Sequence, residues 1–198
     1  MQRFHTIYIH HHGMDFKIVN KKSEFLYQEI LRRIHRLQSG ATIDSLKTVG
    51  ANTDNQIGAS YVSLKQLASQ YQPNETLALL LWNTQKREEQ IIACFLLPPD
   101  INKEKITQLI SLCMSFEIAS YLGSIYLSKY PDLAEISEYW LDSGIPYQQI
   151  AILTAIARHL IINKRDSKIS KAYFNDVIHR NFKDKYVQLA AERYRFNI

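Results

Sequence analysis

From residue 23 onward, apolar positions return every three or four residues, the period of a helix that buries one face. Ser23 is a fair N-cap before a run in which Phe25, Leu26, Ile30, Leu31, Ile34 and Leu37 are apolar, and Gly40 is its stop. A shorter run spaces Ile43, Leu46 and Val49 by three and ends at Gly50. Residues 51–61, rich in Asn, Asp, Gly and Ser, read as a loop. Ser63 and Gln66 then form an S-x-x-Q capping box, with Val62 and Leu67 as its hydrophobic staple. That helix runs to about Tyr71, where Pro73 blocks it. A short helix covers Glu75 to Trp82. Asn83 or Thr84 caps the next, which carries Ile91, Ile92, Phe95 and Leu96 and ends at Pro98 and Pro99. Asn102 caps a helix with Ile106, Leu109, Ile110 and Cys113 at i, i+3, i+4 and i+7. Ser115 opens another, with Ile118, Leu122, Ile125 and Tyr126 inward, stopped by Pro131. Helices follow from about Asp132 to Leu141, from Pro146 through Ile150, Leu153, Ala157, Leu160 and Ile161, and near 168–180 and 184–195. No segment of useful length alternates with period two. The expected fold class is all-α, with about ten helices.

A weak repeat runs through this pattern. Leu81-Trp82-Asn83-Thr84 precedes Gln90-Ile91, and Trp140-Leu141-Asp142-Ser143 precedes Gln149-Ile150-Ala151. Asn181 precedes Gln188-Leu189-Ala190, and Glu117-Ile118-Ala119 echoes the same step. The spacing suits degenerate helical hairpins of the HEAT kind, roughly 40 residues each. Such pairs cannot cover their apolar faces alone, so they stack into an α-solenoid, a superhelix with a concave surface. Residues 21–198 read as one such domain. Trp82 and Trp140 read as repeat core.

Residues 1–20 stand apart. His5, His10, His11 and His12 cluster without periodicity, and without a Cys or carboxylate partner they make a weak metal site, so no metal or cofactor is expected. Met14 is an alternative start that would set residues 1–13 aside.

Hydrophobic residues make up 46% of the 198 and charged residues 22%, which excludes wholesale disorder. No apolar run nears the ~20 residues of a membrane span. No secretory signal is visible. Cys94 and Cys113 sit in apolar helical runs as buried free thiols, which fits a reducing cytoplasm. The net charge of +5 is uneven. Residues 1–157 hold 14 Lys/Arg against 15 Asp/Glu, and residues 158–198 hold 10 against 4. The last fifth of the chain therefore supplies the whole positive excess, the footprint of a polyanion-binding surface or of a solvated basic tail. Arg158, Lys164, Arg165, Lys168 and Lys171 fall near a helix end and the turn after it, where phosphate contacts cluster. Tyr173, Phe174, Tyr186 and Tyr194 interleave with them, as core or as base-stacking side chains.

Two motifs carry a family resemblance. Gly58-Ala59-Ser60-Tyr61-Val62-Ser63-Leu64-Lys65-Gln66-Leu67-Ala68 resembles a Gly, a short turn and a helix beginning Leu-Arg-x-Leu-Ala. Leu81-Trp82-Asn83-Thr84 through Glu88 to Ile91-Ile92-Ala93 resembles Leu-Trp, a capped turn, then Glu and an apolar helix. With the spacing of residues 109–153, they resemble the DNA alkylation-repair glycosylases with HEAT-like repeats, over roughly residues 23–195. The resemblance implies a superhelix holding DNA on a basic face, and excision of cationic alkylated purines by cleavage of the N-glycosidic bond. Family members place an Asp carboxylate against the oxocarbenium-like transition state and aromatic faces against the cationic base.

Three positions depart from that pattern. The central motif reads Ser115-Phe116-Glu117-Ile118-Ala119-Ser120: Phe116 keeps an aromatic, Glu117 keeps the first acid, and Ser120 stands for the catalytic Asp. The family's Arg falls at Ile150, and a later Trp falls near Arg193. Glu117, one turn away, is the carboxylate left to serve, unless it is a solvated helix charge. The candidate catalytic positions are thus Phe116, Glu117 and Ser120. The candidate DNA contacts are the five basic residues above with Arg193 and Arg195. The expected function is a DNA-binding relative of the repair glycosylases with altered or lost catalysis. The alternative is a protein–protein scaffold presenting its concave face to a partner. No Gly-rich phosphate loop, nucleophile elbow or paired metal-ligand motif supports an unrelated enzyme.

Overall fold

In the computed structural model, the described residues are 7–9, 16–18, 21–38, 43–44, 47–48, 57–163 and 167–195. They gather into two compact units, Met1–Pro98 and Pro99–Ile198. His5, His10, His11, His12, Met14, Gly40, and Leu46, Val49 and Gly50 of the short run lie outside the described residues.

The first unit opens with two antiparallel strands, β1 (Ile7–Ile9) and β2 (Phe16–Ile18), in register Ile7 with Ile18 and Ile9 with Phe16. Three residues are too few for alternation to stand out in sequence, so this pair is a correction to the unpatterned reading. β2 lies against α1 (Lys21–His35) and α3 (Glu75–Asn83). α1 begins before Ser23, which is buried in its first turn with Ile30 and Ile34 on the same face. Phe25 stands two positions on, across the helix, and is exposed. α2 (Tyr61–Ala68) also begins earlier than expected. Ser60 is extended and its Oγ accepts the Ser63 N–H at 3.1 Å, so Ser60 and not Ser63 is the cap. Val62 points to solvent, and no staple forms. Asn74 caps α3, its Oδ1 accepting the Leu77 N–H at 2.9 Å.

α4 (Arg87–Leu96) starts with four polar residues, yet Arg87, Glu88, Glu89 and Gln90 are all buried. Glu88 Oε1 accepts the Gly58 N–H at 2.9 Å, and Arg87 Nη1 donates to the Ala59 carbonyl at 3.1 Å. The glycine of the first motif, at φ +74°, is therefore bonded to the glutamate of the second. These motif residues tie α4 to the segment before α2 within the first unit.

The second unit holds α5 (Lys103–Ser111), α6 (Phe116–Tyr121), α7 (Leu133–Asp142), α8 (Pro146–Ile162), α9 (Lys171–Ile178) and α10 (Lys185–Arg195). α8 is its centre. Every residue from Gln148 to Ala157 is buried, as in a helix packed on all sides. Beyond that stretch Ile161 is exposed, a correction to its expected place on the inward face. α6 continues into a π-helical turn, Leu122–Tyr126, and a 3₁₀ turn, Leu127–Lys129. The extra residue in the π turn leaves Ile125 half-exposed, where a regular helix would bury it. Gly123 lets this turn press on α8: a Cβ there would fall on the Ala151 carbonyl oxygen and lie 3.0 Å from Thr154 Cβ.

One turn is built twice. Between α3 and α4, Thr84 Oγ1 donates to the Leu81 carbonyl at 2.8 Å and accepts the Lys86 N–H at 3.3 Å. Gln90 Nε2 donates to the Trp82 carbonyl at 3.0 Å. Between α7 and α8, Ser143 Oγ donates to the Trp140 carbonyl at 2.8 Å and accepts the Ile145 N–H at 3.1 Å, and Gln149 Nε2 donates to the Leu141 carbonyl at 2.7 Å. The residue after the hydroxyl has positive φ in both, Gln85 at +52° and Gly144 at +69°. Thr84 thus closes α3 rather than capping α4, whose N-cap Lys86 makes no side-chain bond. Trp82 and Trp140 are fully buried beside these turns.

Candidate functional site

Three helices of the second unit supply the residues of one cleft. Ser115 caps α6, its Oγ accepting the Ile118 N–H at 3.3 Å. Helical spacing then puts Phe116, Glu117, Ser120 and Tyr121 along one side. α8 contributes Ile150. α10 contributes Tyr186, Leu189, Ala190 and Arg193, at i, i+3, i+4 and i+7. These nine residues line a cleft of about 440 Å³.

α10 is held in place from both ends. Asp184 Oδ1 accepts the N–H groups of Tyr186 at 2.8 Å and Val187 at 3.2 Å. Gln188 Nε2 donates to the Phe182 carbonyl at 2.6 Å. The Tyr194 hydroxyl donates to Thr154 Oγ1 on α8 at 3.2 Å, and Arg195 Nη2 donates to the Ile178 carbonyl at 3.4 Å.

Inside the cleft the aromatic rings engage each other. Phe116 meets Tyr186 at 4.3 Å between centroids and a 31° tilt, and meets Tyr147 edge-on at 4.9 Å. The Lys185 ammonium lies 4.9 Å from the centre of the Tyr186 ring. Ser120 Oγ donates to the Phe116 carbonyl at 3.0 Å, so its hydroxyl proton is spent on its own helix. Glu117 is half-buried on the wall, and Arg193 is exposed at the rim. Beneath Tyr147, burial pushes the Cys113 thiol up to about 12, and its Sγ donates to the Ser115 carbonyl at 3.2 Å. Cys94 is buried as well.

The structure therefore brings together Phe116, Glu117 and Ser120 of α6 with Ile150 of α8 and Arg193 of α10, three stretches far apart in sequence. It does not bring the other basic candidates to them. Arg158, Lys168, Lys171 and Arg195 are exposed and line no part of the cleft. Lys164 and Arg165 lie outside the described residues. Tyr173, Phe174 and Tyr194 face away, Phe174 fully buried and 6.0 Å from Tyr194. Leu189, part of an echoed step in sequence and not singled out there as a site residue, is exposed and stands on the cleft wall with Tyr186, one of the interleaved aromatics. Their shared spacing with Arg193 was the available signal. A smaller hollow of about 260 Å³ between residues 99 and 135 carries the Lys103–Glu135 ion pair at 3.0 Å and none of the candidate residues. Among the described residues, no group of His, Cys, Asp and Glu is placed to hold a metal ion, and no helix is long and apolar enough to cross a membrane.

The family model described as DNA alkylation repair enzyme matches residues 30–167. The match takes in α6 and Ile150 and stops before α10. Comparison with the curated proteins and with the solved structures gives no significant match.

Proposed function

From the premise that the chain belongs to the DNA alkylation repair enzyme family, we propose that it binds DNA, receives a nucleotide in the α6–α8–α10 cleft, and has lost the family's usual base excision. The observation that carries this reading is the convergence on one cleft of the five positions at which the family places its aromatic, acidic and basic groups. The volume, about 440 Å³, suits a single nucleoside. The loss is argued from charge. Oxocarbenium character on the sugar calls for a carboxylate, and Ser120 offers a neutral hydroxyl already bonded to Phe116. Glu117 is the carboxylate that remains on the wall, so any residual base release runs through it. Exposed Arg158, Lys168 and Lys171 supply positive charge outside the cleft and serve as phosphate contacts. The repeated turn supports reading the helices from residue 21 onward as degenerate HEAT-like hairpins.

The test is binding to a duplex carrying an alkylated purine, beside an undamaged one, at two salt concentrations, with base release followed in the same samples. The expected result is binding that weakens steeply with salt, because phosphate neutralisation releases counterions, and base release at background. Release that disappears in Glu117→Gln would restore an enzyme. No binding even at low salt would leave the protein-scaffold reading.

A further inference from the structure

Resting on that reading of the cleft as a nucleotide site, we infer that Tyr186 is an aromatic gate: its ring covers the side of Phe116 on which an unpaired base stacks, and the base enters by displacing it.

Ring spacing leads there first. Phe116 and Tyr186 stand 4.3 Å apart between centroids with a 31° tilt, which is direct contact. Two rings that hold a third between them stand about 7 Å apart, twice the carbon contact distance of about 3.5 Å. No base fits between Phe116 and Tyr186 as they stand, although the cleft around them, about 440 Å³, has room for a nucleoside. A base that stacks on Phe116 from the α10 side must therefore take the place of the Tyr186 ring.

The two rings are not equally free to move. Phe116 begins α6 directly after the Ser115 cap, is half-buried, and is also met by Tyr147 of α8 at 4.9 Å and 63°. Tyr186 is 44% exposed in the first turn of α10. Its ring also carries the ammonium of exposed Lys185 at 4.9 Å, and such a contact is weak in water. The main chain beneath the ring is pinned, since Asp184 Oδ1 accepts the Tyr186 N–H at 2.8 Å. Opening is thus a rotation of one side chain between staggered rotamers, with α10 itself in place.

The consequence is a selective cost. A closed gate lowers the apparent affinity of whatever enters by the fraction of molecules that stand open. A fully paired duplex meets the protein through its phosphates and leaves the cleft empty, so the gate acts only on a base that has left its stack.

The experiment measures the affinity of the full-length chain for two duplexes alike in length and sequence. In one, a central adenine pairs with thymine. In the other, the same adenine faces an abasic position. Their phosphates are equal in number, so the ratio of affinities isolates entry of the base. Tyr186→Ala is expected to bind the unpaired-adenine duplex about two- to tenfold more tightly than wild type, which is the worth of one aromatic pair. Its affinity for the paired duplex should not change. Tyr186→Phe, which restores the ring, should return the ratio to the wild-type value. Tyr186 is exposed and Ala suits a helix, so the variant keeps the fold, which circular dichroism verifies. Weaker binding of the unpaired adenine by Tyr186→Ala would make Tyr186 the stacking surface and not its cover. An unchanged ratio would seat the base elsewhere on the wall. Either result overturns the gate while leaving DNA binding intact. Failure to bind either duplex at low salt would instead remove the underlying reading, and this inference with it.

Discussion

Gln85 occupies the left-handed region of backbone space at φ +52°, a conformation that costs a side chain with a Cβ about 1–2 kcal/mol. Gly144 holds the same place in the second copy of the turn without that cost. Replacing Gln85 with Gly should therefore stabilise the chain. The gain is expected to be about 0.5–1 kcal/mol after the extra freedom of the unfolded chain is counted, read from the midpoint of a denaturant titration. A loss of stability would mean that the Gln85 side chain contributes more than its backbone costs. At the same scale, Ser120 shows how a substitution can be visible in sequence while its consequence is not. The missing carboxylate is evident from the motif, but the bond that turns its hydroxyl back to Phe116 appears only in three dimensions.

Helices are legible in this chain because apolar residues return at helical spacing, and because Asn102, Ser115 and Pro146 mark starts that the structure keeps. Boundaries are harder to read where two hydroxyls compete. Ser60 and Ser63 are both good caps, and the extended backbone at Ser60 decides between them. The Gln of each repeated step was legible as a pattern but not as a device. Gln90 and Gln149 each reach back to the carbonyl end of the preceding helix, which keeps the buried Trp82 and Leu141 acceptors satisfied. The π turn after α6 had no sequence signature beyond Gly123 itself. Gly123→Ala should test how tightly that turn presses on α8. The added methyl meets backbone, which cannot rotate away, so a loss of about 1–3 kcal/mol in unfolding free energy is expected. An unchanged stability would show that α6 and α8 can part at no cost, and would weaken the case for a preformed cleft.

For the whole molecule, sequence order conceals what folding assembles. Phe116 and Arg193 stand 77 positions apart, yet both line one cleft because α10 packs on α8 beside α6. The charge excess of residues 158–198 was legible from counting alone. Which of those cations joins the cleft was not, since that depends on the face α10 presents. The central claim, that this cleft engages DNA, is tested most directly by the salt dependence of duplex binding in the wild-type chain and in Arg193→Ala. Removing one phosphate contact should weaken binding across sequences and reduce the slope of log K against log salt by about one. Equal affinity and equal slope in the two proteins would contradict the claim.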